Sequence, residues 1–259
     1  ESPWWVAALL IVFALASWAG AAFIPRTGEK APDLRVNPNI FASTADLLRD
    51  LWADTRLWRG MIVVSWFWLV GAVVLALLAT LVKGRLGGDE DLYIAFMTLF
   101  AVSIALGSGL AVWMTHGRLI LLPTAIGALL MGLFGLDLGL ATLGAAPGAT
   151  PIGPLAFFAS AHGLRVAIDL VGLATFAGLF IVPVFAAVQS WAGEDRRARV
   201  IAAGNVLQAG FVVVGALAAG GLQTLGFTEP QLLIGLAVLN LVAAPVCLKL
   251  LPINPLRDA

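Results

Sequence analysis

The sequence predicts an all-α membrane protein with seven transmembrane helices. Three observations predict it. Of the 259 residues, 61% are hydrophobic and only 12% charged, apolar runs the length of a bilayer crossing recur along the chain, and the charges between those runs fall unequally on alternate sides. An ordinary soluble domain carries roughly 25% charged residues, so lipid is the expected solvent. The formal net charge is zero, which leaves no basic excess to attract nucleic acid. Cys247 is the single cysteine, so neither a disulfide framework nor a cysteine-based metal site is available.

A bilayer core of about 30 Å needs about 20 apolar residues per helix. Residues 4–24, 60–82, 92–115 and 200–222 are such runs without a charge, and 230–248 is a slightly shorter fifth. Two more, 119–143 and 166–191, each hold a single acid, Asp137 and Asp169. The chain opens on Glu1, with no initiating Met and no basic segment before the first run, so that run is not a signal peptide and the native start is expected to lie upstream.

Alternating the loops between the two sides gathers Arg26, Lys30, Arg35, Arg49, Arg56, Arg59, Arg118, Arg196, Arg197, Arg199, Lys249 and Arg257 on one side and leaves Lys83, Arg85 and Arg165 on the other. The positive-inside rule places the richer side in the cytoplasm, with Glu1 external and Ala259 internal. Trp4 and Trp5 then mark the outer edge, and Trp52, Trp58, Trp113 and Trp191 the inner one. The longest loop, 25–58, is punctuated by Pro25, Pro32 and Pro38. It then carries an N-cap signal at Ser43 with Asp46 three residues on. Leu47, Leu48, Leu51, Trp52 and Trp58 form an apolar stripe beyond it, the pattern of an interfacial helix on the inner leaflet. These features divide the chain into a first helix (1–24), a connector (25–58) and a six-helix bundle (59–259). On the outer side, a Gly/Pro-rich loop (144–154) precedes a short helix near 155–163.

A charge at the centre of a membrane helix costs at least ~2.5 kcal/mol on insertion scales, so Asp137 and Asp169 need partners or a hydrated cavity. Arg165 and Asp169 are four apart and share a helix face, and Asp137 lies at a similar depth on the preceding antiparallel helix. The three residues are compatible with a headgroup or proton site near the outer leaflet, and equally with an ion pair that locks neighbouring helices. Ser65, Trp66 and Trp68 lie deeper than an interfacial belt, as a cavity wall or as ordinary packing. Asn205 and Gln208, three apart, suit interhelical hydrogen bonding, and Asn240 sits mid-span as a structural group. His116 and His162 fall on opposite sides, which disfavours a metal site. No covalent catalytic constellation and no cofactor is implied. The glycine-rich stretch 215–221 lacks a P-loop lysine and suits close helix packing.

The arrangement of one helix, a long cytoplasmic connector and six further helices resembles the second half of a major facilitator superfamily transporter, from its sixth helix onward. The strings Phe23-Ile-Pro-Arg-Thr-Gly28, Asn37-Pro-Asn-Ile-Phe41, Ser65-Trp-Phe-Trp68 with Gly71-Ala72, Phe134-Gly-Leu-Asp-Leu138, Gly178-Leu-Phe-Ile-Val-Pro183 and Arg199-Val-Ile-Ala-Ala203 with Asn205 are similar to the bacterial lysophospholipid transporter family. They most resemble versions fused to acyltransferase and acyl-carrier-protein synthetase domains. The turn at 109–118 departs from the superfamily pattern, because Gly117-Arg118 are present but the usual acid is replaced by apolar residues, which weakens the case for a gating ion pair there.

The resemblance implies alternating-access transport of lysophospholipid across the bacterial inner membrane toward cytoplasmic reacylation. It places Ser65, Trp66, Trp68, Arg165 and Asp169 on pathway-lining helices, and Asp137 on a supporting one. The implied partners are lysophospholipid, membrane lipids, an N-terminal transporter half and a fused or associated acyltransferase. Two alternatives stay open: a membrane module of an acyltransferase and acyl-carrier-protein ligase, and a generic small-solute facilitator. A retinal-binding seven-helix photoreceptor is excluded, because Lys249 lies at the end of the last helix rather than mid-membrane.

Overall fold

The computed structural model describes residues 4–23 and 38–250, except for the side chains of residues 247, 248 and 250. Glu1, Pro25, Arg26, Lys30, Pro32, Arg35, Arg257, Ala259 and the side chain of Cys247, on which parts of the sequence reading rest, lie outside the described residues. Every element described is helical: α1 (Trp4–Ala22), α2 (Ile40–Ala53), α3 (Thr55–Gly84), α4 (Glu90–Thr115), α5 (Leu122–Thr142), α6 (Pro154–Phe158), α7 (Ala161–Thr224) and α8 (Glu229–Leu250). Six of these are long and apolar enough to cross a membrane.

The chain divides into two compact units, Glu1–Asn39 and Ile40–Ala259. In the first, α1 has no buried residue: it is apolar on every face, as expected of a helix solvated by lipid. In the second, α2 packs with the bundle through buried Leu51. It begins at Ile40, three residues before the expected cap at Ser43, directly after Asn39, a residue type favoured at N-caps.

The helix boundaries follow local chemistry. The Asp54 side chain accepts from Leu57 N at 3.2 Å and starts α3, and Asp89 accepts from Leu92 N at 2.8 Å and starts α4. At the end of α4, His116 and Gly117 take positive φ (49° and 73°), and Pro123 opens α5. Residues 192–199, expected as a charged loop, are helical except at Gly193 (φ 69°, ψ 175°), a region of backbone space open essentially to glycine. Gly193 divides α7 into two arms, 161–192 and 194–224. Glu194 and Asp195 open the second arm, where acids favour the positive end of the helix dipole.

The direction of each arm follows from what it meets along α3. A Cβ on Gly60 would meet Val188 and Trp191, and Val70, further along α3, borders a small cavity with Leu173. Met61 lies against Gly204, whereas a Cβ on Gly215 would meet Leu69 and Val73. The first arm therefore runs antiparallel to α3 and the second parallel to it.

Two apolar clusters fill the bundle. One, around Leu81, Phe96, Leu138, Phe157, Leu170 and Leu233, lies toward the end carrying α6. The other, around Leu51, Met61, Phe180, Val184 and Val188, lies toward the end carrying α2. The first arm of α7 contacts α4 backbone to backbone: a Cβ on Gly107 would stand 1.8 Å from Thr175 O, and one on Gly178 would stand 2.4 Å from Ile104 O. Small residues at such crossings let membrane helices approach closely. At the α6 end, the turn after α3 is tied to the loop before α6 by Asp89 N to Ile152 O (3.1 Å) and Ile152 N to Gly87 O (2.8 Å).

Candidate functional site

The polar residues singled out from the sequence separate into distinct environments. Asp137 on α5 and Arg165 on the first arm of α7 do meet. Arg165 Nε donates to Asp137 Oδ2 at 3.1 Å, and Nη2 donates to Oδ1. This two-pronged pairing fits the planar guanidinium to the carboxylate. Both side chains remain about half exposed, 53% for Arg165 and 42% for Asp137. Asp169, one turn deeper, is only 3% exposed, and no hydrogen-bond donor reaches its Oδ2. Its carboxyl group is a close enough neighbour of that of Asp137 for the two to interact. The site thus holds two acids and one base, with the base committed to the shallower acid.

Ser65 is fully buried, and its hydroxyl donates to Met61 O at 2.7 Å within its own helix, so it faces the packed core rather than an open wall. Trp68 is half exposed and sets its ring edge-on to Phe67. Trp66 donates its indole N–H to Asn240 Oδ1 at 2.9 Å, while Asn240 Nδ2 donates to Ala128 O at 2.7 Å. One amide thereby ties α8 to α3 and α5. Asn205 and Gln208 do not act as a pair: Asn205 is exposed, whereas Gln208 is buried with Nε2 unpartnered.

Trp66 also lines an apolar groove of about 280 Å³ between α3, the second arm of α7 and α8, together with Leu69, Val73, Val214 and Leu239. Phe227 and Gln231, on either side of Glu229 in the chain, line part of it, and Glu229 pairs with Arg85 Nε at 3.3 Å. A second apolar groove, of about 560 Å³, runs along α4, α5 and the first arm of α7 past Phe134, Leu164 and Ile168. Leu164 and Ile168 flank Arg165 and precede Asp169 in the chain, a proximity that the paired polar residues alone do not reveal in the sequence. Apolar pockets with a few placed polar groups are the usual form of small-molecule sites.

At the opposite end, Asp54 Oδ2 accepts from Arg196 at 3.1 Å, Asp50 pairs with Arg199, and the Arg56 guanidinium lies 4.4 Å from the Trp191 ring centre. These contacts hold α2 and the start of α3 against the turn of α7.

No protein-family model matches the chain, and no curated protein or solved structure matches it.

Proposed function

We propose that the chain is a transport module of the major facilitator type, its sixth helix and C-terminal six-helix bundle, that moves lysophospholipid across the bacterial inner membrane by alternating access. In this reading α1, α3, α4, α5, both arms of α7 and α8 make seven crossings, and the α2 end faces the cytoplasm, where the lipid is reacylated. The lipid class comes from the sequence resemblance. The observation that carries the reading is the groove lined by Trp66, apolar along its length with the Arg85–Glu229 pair beside one end. That polarity matches a single-chain amphiphile. Each CH₂ removed from water is worth about 0.8 kcal/mol, so a tail that stays in an apolar groove adds little to the barrier, and the polar headgroup sets it.

The test is uptake of labelled lysophospholipid into spheroplasts that express the full-length protein. Wild type should take up lipid, and Trp66→Ala should reduce the rate several-fold at equal membrane abundance. Absence of uptake by well-expressed wild type overturns the lipid assignment. Unchanged uptake by Trp66→Ala removes the groove from the pathway.

A further inference from the structure

We propose that Asp169 and Asp137 together bind one exchangeable proton, taken up from the aqueous phase at the α6 end of the bundle. Two ionised carboxylates and one guanidinium leave a net negative charge, and arginine does not release its proton in proteins. Arg165 reaches both oxygens of Asp137 and leaves Asp169 Oδ2, in a residue 3% exposed, without a donor. A buried, uncompensated carboxylate is strongly unfavourable. One proton between the two acids neutralises the cluster and supplies the missing donor.

The geometry also provides a route. Asp137 and Arg165 are half exposed, and Asp169 lies one helical turn below Arg165, so a proton entering from the α6 end would meet the pair before the buried acid. The chemistry is an acid–base equilibrium: a carboxylate oxygen gains an O–H bond, water supplies the proton, and nothing is oxidised or reduced. A hard metal ion such as Ca²⁺ is less suited, since it takes six or more oxygen ligands, and both Asp137 oxygens already accept from Arg165. Among the described residues, Asp137 on α5 and Arg165 on α7 are the charged groups that act on Asp169. His162, exposed near the start of α7, is the nearby ionisable side chain outside the cluster and serves as a control. The proposal rests on the charges and burial of this cluster and stands apart from the transport reading.

The experiment is infrared difference spectroscopy on the purified full-length protein in lipid-free detergent, between about pH 5 and about pH 8, a window in which an ordinary aspartate near 3.9 stays ionised. A protonated-carboxyl band that titrates in this window is expected, shifted by [¹³C]aspartate labelling, retained in His162→Gln, and lost in Asp169→Asn and Asp137→Asn. No such band, a band insensitive to aspartate labelling, or one unchanged in Asp169→Asn overturns the proposal. Isotope labelling decides the matter in wild type even if a variant fails to fold. Because no lipid is present, failure here leaves the uptake test standing, and failure of uptake leaves this one standing.

Discussion

Replacing Gly107 by alanine tests the tightest glycine contact among the described residues. The added Cβ would stand 1.8 Å from Thr175 O, 2.7 Å from Thr175 C and 3.0 Å from Thr175 Cα. Ordinary contact begins near 3.4 Å, so α4 and α7 must separate locally by about 1.6 Å. A radial gap of 0.5–1 Å already forfeits about a quarter to a half of each pairwise dispersion well, and overpacking typically costs about 1–3 kcal/mol. Gly109, on the same helix, is the control: a Cβ added there meets nothing within 4 Å, and alanine should be neutral or stabilising by up to about 1 kcal/mol. The assay is reversible unfolding of each full-length variant in mixed micelles. Equal stabilities for Gly107→Ala and Gly109→Ala would refute the backbone-contact account of the α4–α7 crossing.

Three further outcomes follow from other contacts. Trp66→Phe and Asn240→Leu should show a coupling of about 0.6 kcal/mol in a double-mutant cycle, the average for interhelical hydrogen bonds in membranes, and no more than about 1.7; additive effects would mean the bond contributes nothing. Gly193→Ala should destabilise by about 1–3 kcal/mol, because its backbone region is nearly closed to other residues; hydrogen exchange at the α7 turn locates the effect. Reversing both partners of the Asp54–Arg196 pair should restore less than about 1 kcal/mol, since the pair is partly exposed, and Asp54 would also lose its capping role toward Leu57.

The helices are legible in the sequence because apolar runs long enough to cross a bilayer are hard to mistake. The turn of α7 is not: Glu194, Asp195, Arg196 and Arg197 look like a solvated loop, yet a single glycine reverses the chain and the acids fall at a helix start. The spacing of Arg165 and Asp169 and the depth of Asp137 suggest a cluster of the three, but which acid takes Arg165 depends on the rotation of α5 against α7, and it is Asp137. Ser65 reads from the sequence as either wall or packing, and the structure gives it packing, since one helical position separates its core-facing hydroxyl from the grooved face. Asn240 is recognisable as structural, although its indole partner depends on the α3–α8 approach.

Asp54 carries a consequence of its own. One oxygen starts α3 through Leu57 N, and the other holds Arg196 at the beginning of the second arm of α7. Two parallel helices therefore share a common zero mark along their axes. Sliding one past the other by a single residue, about 1.5 Å, would make the carboxylate give up either Leu57 N or Arg196, so the level at which it serves both is the preferred one.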